Sequence, residues 1–205
     1  MLITEKQPKL DPRVKRTRKL LQQSFAELLA EKDFHSITVH DIAERAELNR
    51  ATFYLHFADK YALLGQSVRD ALTERLEKRL PNAQTLSFDN LRLLAAVVTE
   101  FMDGFFGQCH PGSRNDIQLL IVAEVQKHVY EVLLTWTTNT VANTPHNPNT
   151  AEHAAAALSW IIFGTGFQSH VSGQKQSPEQ WADQMLTFLV RDLPTYLGHP
   201  VTMQK

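Results

Sequence analysis

The sequence contains a single cysteine, Cys109, among its 205 residues. One cysteine cannot close a disulfide within the chain, and it cannot supply a CxxC metal site. This cysteine usage is typical of a reducing compartment, so we expect a cytoplasmic protein. For Cys109 itself we favour an inert thiol over a redox sensor.

Long apolar runs are also scarce. The least polar stretch, residues 154–171, has no formal charge but contains five polar side chains, which argues against a membrane span. Residues 1–12 lack the apolar core of a signal peptide. No GxSxG, P-loop, HExxH or GxGxxG motif occurs, so we expect neither an enzyme nor a bound cofactor.

Charge is unevenly distributed, although the net charge is only −1. Residues 6–19 carry seven basic side chains and one acidic side chain, whereas residues 61–205 carry ten basic and thirteen acidic ones. A basic segment on an acidic body can orient a protein on a polyanion. The solvated start of a helix explains this segment equally well, so its meaning depends on the residues next to it in the chain.

Hydrophobic periodicity predicts helices and no strands, that is, an all-α fold. The longer predicted helices span residues 12–32, 60–79, 88–106, 116–139, 151–172 and 178–193. Two short helices lie between the first two of these, one capped by Thr38 and one capped by Asn49. A long helix, a short helix, a tight turn and a second short helix form the layout of a helix-turn-helix unit.

Residues 37–60, ITVHDIAERAELNRATFYLHFADK, resemble the DNA-binding domain of the TetR/AcrR family of transcriptional repressors. The similarity rests on the TVxDIA opening, the TFYxHF core, and DK followed by Leu63 and Leu64. It covers roughly residues 12–65, about a third of the chain, and the remainder matches in general helical layout. The resemblance implies a basic arm (1–11), a DNA-binding domain (12–60), a helical effector-binding and dimerisation domain (61–197) and a tail (198–205).

The resemblance also implies which residues contact the DNA backbone. Thr38 and Lys60 lie at predicted helix starts, where free backbone N–H groups favour phosphate. Tyr54 and His56 carry donors on the exposed edge of the second short helix. The resemblance assigns backbone contacts to all four residues.

The residues that the resemblance places toward the groove are Arg50, Ala51, Thr52 and Leu55, with His40 on the preceding helix. Arg50 can pair with guanine, although a phosphate contact or a solvated side chain remains the alternative. Ala51 and Leu55 can touch a thymine methyl group or pack on their own helix. His40 can read a base or be an ordinary surface residue.

The sequence departs from the family pattern at two positions that usually carry glycine, residues 47 and 51. Glutamate at residue 47 costs about 1 kcal/mol relative to glycine if the backbone there is left-handed. It also places a negative charge near the operator.

We expect the C-terminal body to form a symmetric dimer, because one helix-turn-helix contacts too little DNA to be both tight and specific. Its last two long helices carry small and apolar side chains that suit a four-helix bundle, as the resemblance implies. The alternative is that they close the core of a single chain. The predicted interface comprises Ala154, Leu158, Ile161, Ile162, Trp181, Met185, Phe188 and Leu189.

The same body is rich in large side chains that can line a pocket for a small, largely apolar effector. Each candidate can equally be plain core. The candidates are Phe101, Met102, Phe105, Val125, His128, Trp136, Trp160, Phe163 and Phe167. Gly164 and Gly166, both inside a predicted helix, suggest close packing or a lining role.

A metal site is the weaker interpretation of the nine histidines. Glu124 and His128 share one helical face, and a third ligand from His170 could complete a zinc or nickel site. Surface or core histidines explain the pattern more simply, so we expect no metal.

The sequence therefore predicts a homodimeric, ligand-responsive transcriptional repressor whose partners are a double-stranded DNA operator and a second copy of the chain, with no membrane partner. A helical small-molecule-binding protein without a DNA function and a DNA-binding activator are the alternatives.

Overall fold

The computed structural model describes residues 11–141, 149–172 and 176–192, and at 114–116, 141, 149 and 169–172 the backbone alone. Eight α-helices account for most of this part of the chain: α1 Pro12–Glu31, α2 Val39–Arg45, α3 Arg50–Tyr54, α4 Lys60–Arg79, α5 Phe88–Gln108, α6 Ser113–Val141, α7 Asn149–Ser172 and α8 Pro178–Thr187. A 3-10 turn, Phe34–Ser36, precedes α2, and a π-helical turn, Phe188–Asp192, follows α8. The described residues include no strand, so the predicted all-α fold is confirmed.

The described residues form two compact units. The first unit contains residues 11–67 together with 108–119, and the second contains residues 68–107 and the described part of 120–192. Helices α4, α5 and α6 therefore each contribute residues to both units. The domain boundary after residue 60 stays a prediction.

The core of the first unit combines aliphatic side chains with aromatic ones from α1, the 3-10 turn and α3. The Asp11 carboxylate accepts a hydrogen bond from the Arg13 backbone N–H (2.8 Å), which sets the start of α1. The Phe25 ring packs edge-on against Phe34, with centres 6.2 Å apart. Phe53 is fully buried, so α3 is anchored by its inner face.

Residues 109–113 are attached to the end of α1 within the first unit. The His110 backbone N–H donates to the Leu29 carbonyl (2.9 Å), and His110 Nδ1 lies 2.8 Å from Asp33 Oδ1. The Ser113 hydroxyl accepts a hydrogen bond from the Phe34 backbone N–H (2.6 Å). A Cβ at Gly112 would overlap the Asp33 carboxylate, so this attachment requires glycine there.

The centre of the second unit is largely apolar, with Thr99, Thr137 and Ser159 as buried polar side chains. All residues from 94 to 99 on α5 are buried, and α6 buries every fourth residue from Ile121 to Leu133. Helix α7 approaches α5 closely at Gly166, where an added Cβ would lie 3.2 Å from Thr99 Oγ1. Close packing therefore explains Gly166, whereas Gly164 has open space around it.

Several helix ends differ from the prediction: α1 ends at Glu31 rather than residue 32, α5 at Gln108 rather than 106 and α6 at Val141 rather than 139. Helix α6 begins at Ser113 rather than residue 116, because the Ser113 backbone N–H already bonds to the His110 carbonyl (3.0 Å). Helix α7 begins at Asn149 rather than residue 151. Regular α-helix in α8 ends at Thr187 and continues as the π-helical turn, while residue 193 lies outside the described residues.

Candidate DNA interface

The turn between α2 and α3 is held by backbone hydrogen bonds. The Leu48 N–H donates to the Ala43 carbonyl (2.8 Å) and the Glu47 N–H to the Glu44 carbonyl (3.0 Å). These two bonds make a Schellman motif, whose central residue adopts a left-handed backbone. Glu47 has φ = 56°, as expected if it occupies the family's glycine position, and it is the one non-glycine residue with positive φ in the described chain.

Helix α2 begins with a reciprocal capping box. The Asp41 backbone N–H donates to the Thr38 hydroxyl (3.1 Å), and the Thr38 backbone N–H donates to the Asp41 carboxylate (2.8 Å). The Lys32 ammonium also lies 2.9 Å from Asp41 Oδ2. The Lys32 hydrogen bond, and then that from the Thr38 backbone, lower the pKa of Asp41 to about 2. A carboxylate therefore occupies the helix start at which the sequence predicted a phosphate contact by Thr38.

Helix α3 presents one face to solvent. Asn49 caps the helix by accepting a hydrogen bond from the Thr52 backbone N–H (2.7 Å) and another from the Thr52 hydroxyl (3.0 Å). Arg50, Ala51 and Leu55 are exposed, and Leu55 is 82% exposed. An exposed arginine flanked by apolar side chains on a buried aromatic anchor is an arrangement that can read base edges.

The other predicted contacts lie around this face. Tyr54 is 51% exposed, and its ring packs edge-on against Phe53 with centres 5.5 Å apart. The side chain of His40 on α2 is 66% exposed, and its Nε2 lies 4.0 Å from the Glu44 carboxylate. His56 is half-buried.

Lys60 is placed differently from the predicted phosphate contact. Its ammonium donates hydrogen bonds to the carbonyl oxygens of Phe34 (2.8 Å), His35 (3.2 Å) and Ile37 (2.9 Å). It also lies 4.5 Å from the centre of the Phe34 ring. An ammonium group has three donors, and all three are used within the first unit.

Arg18 is a residue of this surface that the sequence did not single out, because it looked like any other member of the basic segment. Its guanidinium lies 5.5 Å from the centre of the Phe57 ring, and its buried Nε has no hydrogen-bond partner among the described residues. Burial, and then the positive charge of Arg18, lower the pKa of His56. A cation and an imidazole beside α3 form a surface that favours an anion.

Comparison with known proteins decides the family. The family profile described as "Bacterial regulatory proteins, tetR family" matches residues 26–66, from the middle of α1 into α4. Residues 26–66 therefore form a DNA-binding domain of the tetR family. This is a family of helix-turn-helix transcriptional regulators, not of enzymes.

A curated relative of this chain is the uncharacterized HTH-type transcriptional regulator YxbF of Bacillus subtilis (strain 168). It is 42% identical over 74 residues, which are 36% of this chain and 20% of YxbF. The chain thus spans about a fifth of the length of this relative.

Two solved structures share the whole fold. A TetR-family regulator from Syntrophomonas wolfei superposes with a TM-score of 0.60 at 15% identity over 93% of this chain and 99% of that one. FadR from Bacillus subtilis, in complex with stearoyl-CoA, superposes with a TM-score of 0.53 at 17% identity over 84% and 97%. These likenesses confirm the predicted architecture, a helix-turn-helix domain followed by a C-terminal helical domain.

Helices α7 and α8, with the π-helical turn that follows α8, form an apolar groove of about 460 Å³ in the second unit. Five residues of the predicted dimer interface line it: Ile161, Trp181, Met185, Phe188 and Leu189. The remaining three lie elsewhere, because Ala154 and Leu158 are half-buried outside the groove and Ile162 is 1% exposed. Trp160, predicted as a pocket residue, also lines the groove and is 58% exposed.

A separate cavity of about 380 Å³ lies in the second unit among α4, residues 80–84 and α6. Only His128 and Trp136 of the predicted effector residues line it. Phe101, Met102, Val125 and Phe163 are buried in the core, and Phe105 and Phe167 are half-buried outside the cavity. Helical periodicity identifies inward positions but does not separate cavity walls from close-packed core.

The described residues contain no group of three or more side chains suited to a metal, and the side chain of His170 lies outside those described. Within the described part of the chain, no helix has both the length and the apolar character that crossing a membrane requires.

Proposed function

We propose that the protein is a homodimeric transcriptional repressor that binds its operator through α3 and is released by a small molecule bound in the second unit. The observation that carries this proposal is the exposed face of α3. Arg50, Ala51 and Leu55 are exposed on a helix whose Phe53 is fully buried. A fixed helix of this kind offers an arginine and apolar side chains to the major groove.

The apolar groove on α7 and α8 supports a dimer. Trp160 and Phe188 are 58% and 45% exposed in this groove. Large exposed apolar side chains that adjoin one another mark an interaction surface. A second copy of the chain, presenting the same two helices, would cover both residues and form a four-helix bundle.

Release by a ligand is a consequence of linkage. A ligand weakens operator binding to the extent that it binds the non-binding conformer more tightly than the DNA-bound one. Helix α4 contributes Lys60 to the first unit and cavity-lining residues such as Leu76 to the second. It is therefore the element through which we expect the two sites to be coupled.

The proposal is tested by identifying the genomic sites that the protein binds, together with transcription of the adjacent genes. We expect two inverted half-sites and increased transcription when the gene for the protein is deleted. Reduced transcription on deletion would make the protein an activator. No salt-dependent, sequence-selective binding at all would leave a small-molecule-binding protein without a DNA function.

The dimer is tested by sedimentation of the purified chain and of a Trp160→Glu variant. We expect a dimer for the unaltered chain and a folded monomer for the variant, because a carboxylate cannot be buried unpaired in the apolar groove. Glu152→Lys, at an exposed position of the same helix outside the groove, is the matched control and should stay dimeric. A monomeric unaltered chain would overturn the dimer.

A further inference from the structure

We propose that the cavity among α4, residues 80–84 and α6 binds a small aromatic ammonium compound, and that such a compound is the effector. The effector role rests on the proposed function, whereas binding itself does not. Nothing in the family assignment or in the compared structures assigns a ligand to this cavity. Its shape, its charge and its hydrogen-bonding groups each favour this class of ligand.

The apolar wall accommodates an aromatic ring. Leu76 on α4 and Val132 and Trp136 on α6 line the cavity. The Trp136 indole N–H donates to the Ala83 carbonyl (2.9 Å), which fixes the orientation of the ring. A cavity of about 380 Å³ with a fixed indole in its wall suits a ligand of one or two aromatic rings.

The charge of the wall selects against anions. Glu77 is the one aspartate or glutamate in the lining, and the lining contains neither lysine nor arginine. Basic side chains on α4 outside the lining have partners of their own: Arg69 pairs with Glu131 (2.8 Å), Lys78 with Glu74 (2.7 Å) and Arg79 with Glu100 (3.0 Å), and the Arg75 guanidinium lies 5.3 Å from the centre of the Phe101 ring. Glu77 is exposed, so a cation in this cavity has one solvent-exposed carboxylate in the lining, and an anion has no counter-charge there.

The hydrogen-bonding groups of the cavity wall favour a ligand that carries a hydrogen-bond donor. His128 Nε2 and Thr73 Oγ1 lie 3.1 Å apart and satisfy each other, and burial lowers the pKa of His128, so its ring is neutral at pH 7. The Thr135 hydroxyl donates to the Glu131 carbonyl (3.0 Å), which leaves its oxygen as an acceptor. His128 Nδ1 is buried without a hydrogen-bond partner, and the Gln84 side chain adds an amide with both donors and an acceptor. With the Glu77 carboxylate and the Thr135 oxygen, the wall offers several acceptors to which an ammonium N–H is complementary.

The same wall disfavours the ligand found in a structural neighbour. FadR from Bacillus subtilis was solved with stearoyl-CoA, a ligand that carries several phosphate charges. Here the cavity offers those charges one carboxylate and no cation. A ligand whose charges are phosphates therefore does not suit this cavity.

The test compares three soluble probes of one shape and different charge: 1-naphthylmethylamine, 1-naphthalenemethanol and 1-naphthoate. Titration calorimetry on the full chain without DNA should show the amine binding at least about tenfold more tightly than the carboxylate, as one favourable charge contact implies. Glu77→Gln should weaken amine binding about tenfold and leave the alcohol unchanged. Glu74→Gln, one turn earlier on α4 and outside the cavity, is the matched control and should leave all three unchanged.

A cavity-filling variant tests the site independently of Glu77, in case Glu77→Gln has no effect on binding. Val132→Trp should abolish binding of every probe while circular dichroism shows the helical content intact. Naphthoate binding as tightly as the amine, or amine binding that survives both Glu77→Gln and Val132→Trp, would overturn the site.

The effector role is measured separately in a DNA-binding assay. The amine should weaken operator binding by the unaltered chain and not by Glu77→Gln. Amine binding in the cavity with no effect on DNA would overturn the effector role alone. Failure of the protein to bind any DNA would overturn the proposed function and leave the calorimetric result intact.

Discussion

The ammonium nitrogen of Lys60 lies 2.8 Å from the carbonyl oxygen of Phe34 and 4.5 Å from the centre of the Phe34 ring. The same group reaches the carbonyls of His35 and Ile37. The first residue of α4 is thereby fixed to the segment between α1 and α2, 26 residues earlier in the chain. The Lys60 ammonium therefore stabilises the first unit through contacts inside it, whereas the family resemblance implied a contact with a DNA phosphate.

We predict that Lys60→Met lowers the free energy of unfolding by about 2 kcal/mol, because three hydrogen bonds from a charged donor are lost. Of the three carbonyls, that of Phe34 keeps its hydrogen bond from the Ile37 backbone N–H. Chemical denaturation measures this loss. Lys78→Met, at an exposed position of the same helix, is the control and should change stability by less than about 0.5 kcal/mol. A different result would make Lys60 a direct DNA contact: the variant would keep its full stability, and the dependence of its DNA binding on salt concentration would fall by about the amount expected for one phosphate contact.

The pKa of His56 is predicted to rise when Arg18 is replaced by glutamine. Burial is the larger cause of the lowered pKa and the charge of Arg18 the second, so removing the charge should raise the pKa only partly toward its ordinary value of 6.5. NMR titration of the His56 ring, assigned with His56→Gln, gives the value. Arg16→Gln, an exposed neighbour on α1, serves as the control and should leave the titration of His56 where it is.

The lowered pKa of His56 also makes stability depend on pH. The folded chain binds the His56 proton less readily than the unfolded chain, so folding is disfavoured as pH falls below about 6.5. His56→Gln should therefore reduce the loss of stability between pH 6.5 and the lowered pKa. A loss identical to that of the unaltered chain would contradict the prediction.

Asp41→Asn is predicted to lower stability at pH 7 by about 1 kcal/mol, because the charged partner of Lys32 is removed while an amide oxygen still caps α2. The carboxyl has a pKa of about 2 in the folded chain against 3.8 ordinarily. Its contribution is thus present above pH 3.8 and lost as pH falls through about 2. The unfolding temperature of the variant should fall less steeply at acid pH than that of the unaltered chain. Glu44→Gln, on the same helix, should show the same pH dependence as the unaltered chain.

Arg50→Ala is predicted to relax sequence preference at one base pair of each half-site, at a cost of about 1–3 kcal/mol for the preferred base. Tyr54→Phe should weaken binding to all sequences about equally, because a hydroxyl that contacts the backbone carries no base information. Selection from a randomised DNA library compares the two variants. Unchanged preference in Arg50→Ala would show that this arginine does not read a base.

Gly112→Ala is predicted to destabilise the first unit by about 1–3 kcal/mol, because the new methyl group displaces the Asp33 carboxylate from His110. Asp33→Ala removes both the obstacle and the bond to His110. The double variant should therefore be no less stable than Asp33→Ala alone, a coupling that a double-mutant cycle measures. Fully additive losses would show that the glycine acts through something other than Asp33. Gly104→Ala, where the added methyl group meets nothing, is the control.

The helix starts were the part of the fold most accessible from sequence, because the interactions that set them are local. Thr38, Asn49 and Ser177 each cap a helix through a residue three positions on, so the whole motif is visible in a short stretch. Helix α4 likewise has the predicted ends, Lys60 and Arg79. The family resemblance depends on the same local register.

The distant contacts could not be predicted in this way. Lys60 reaches carbonyls more than twenty residues away, and His110 meets Asp33 across 77 residues. Backbone carbonyls have no sequence signature as acceptors, and one charged residue resembles another until the chain is folded. The lining of the cavity could not be predicted for a related reason. Val125 and Val132 are apolar residues on the same helix, yet Val125 is buried in the core and Val132 lines the cavity.

The left-handed residue between α2 and α3 has a consequence for evolution and engineering. Glu47 has a left-handed backbone, which costs about 1 kcal/mol relative to glycine, and its side chain is exposed three residues before Arg50. Replacement by glycine would relieve the strain and remove one negative charge. We therefore expect Glu47→Gly to bind DNA more tightly than the unaltered chain and to dissociate from it more slowly.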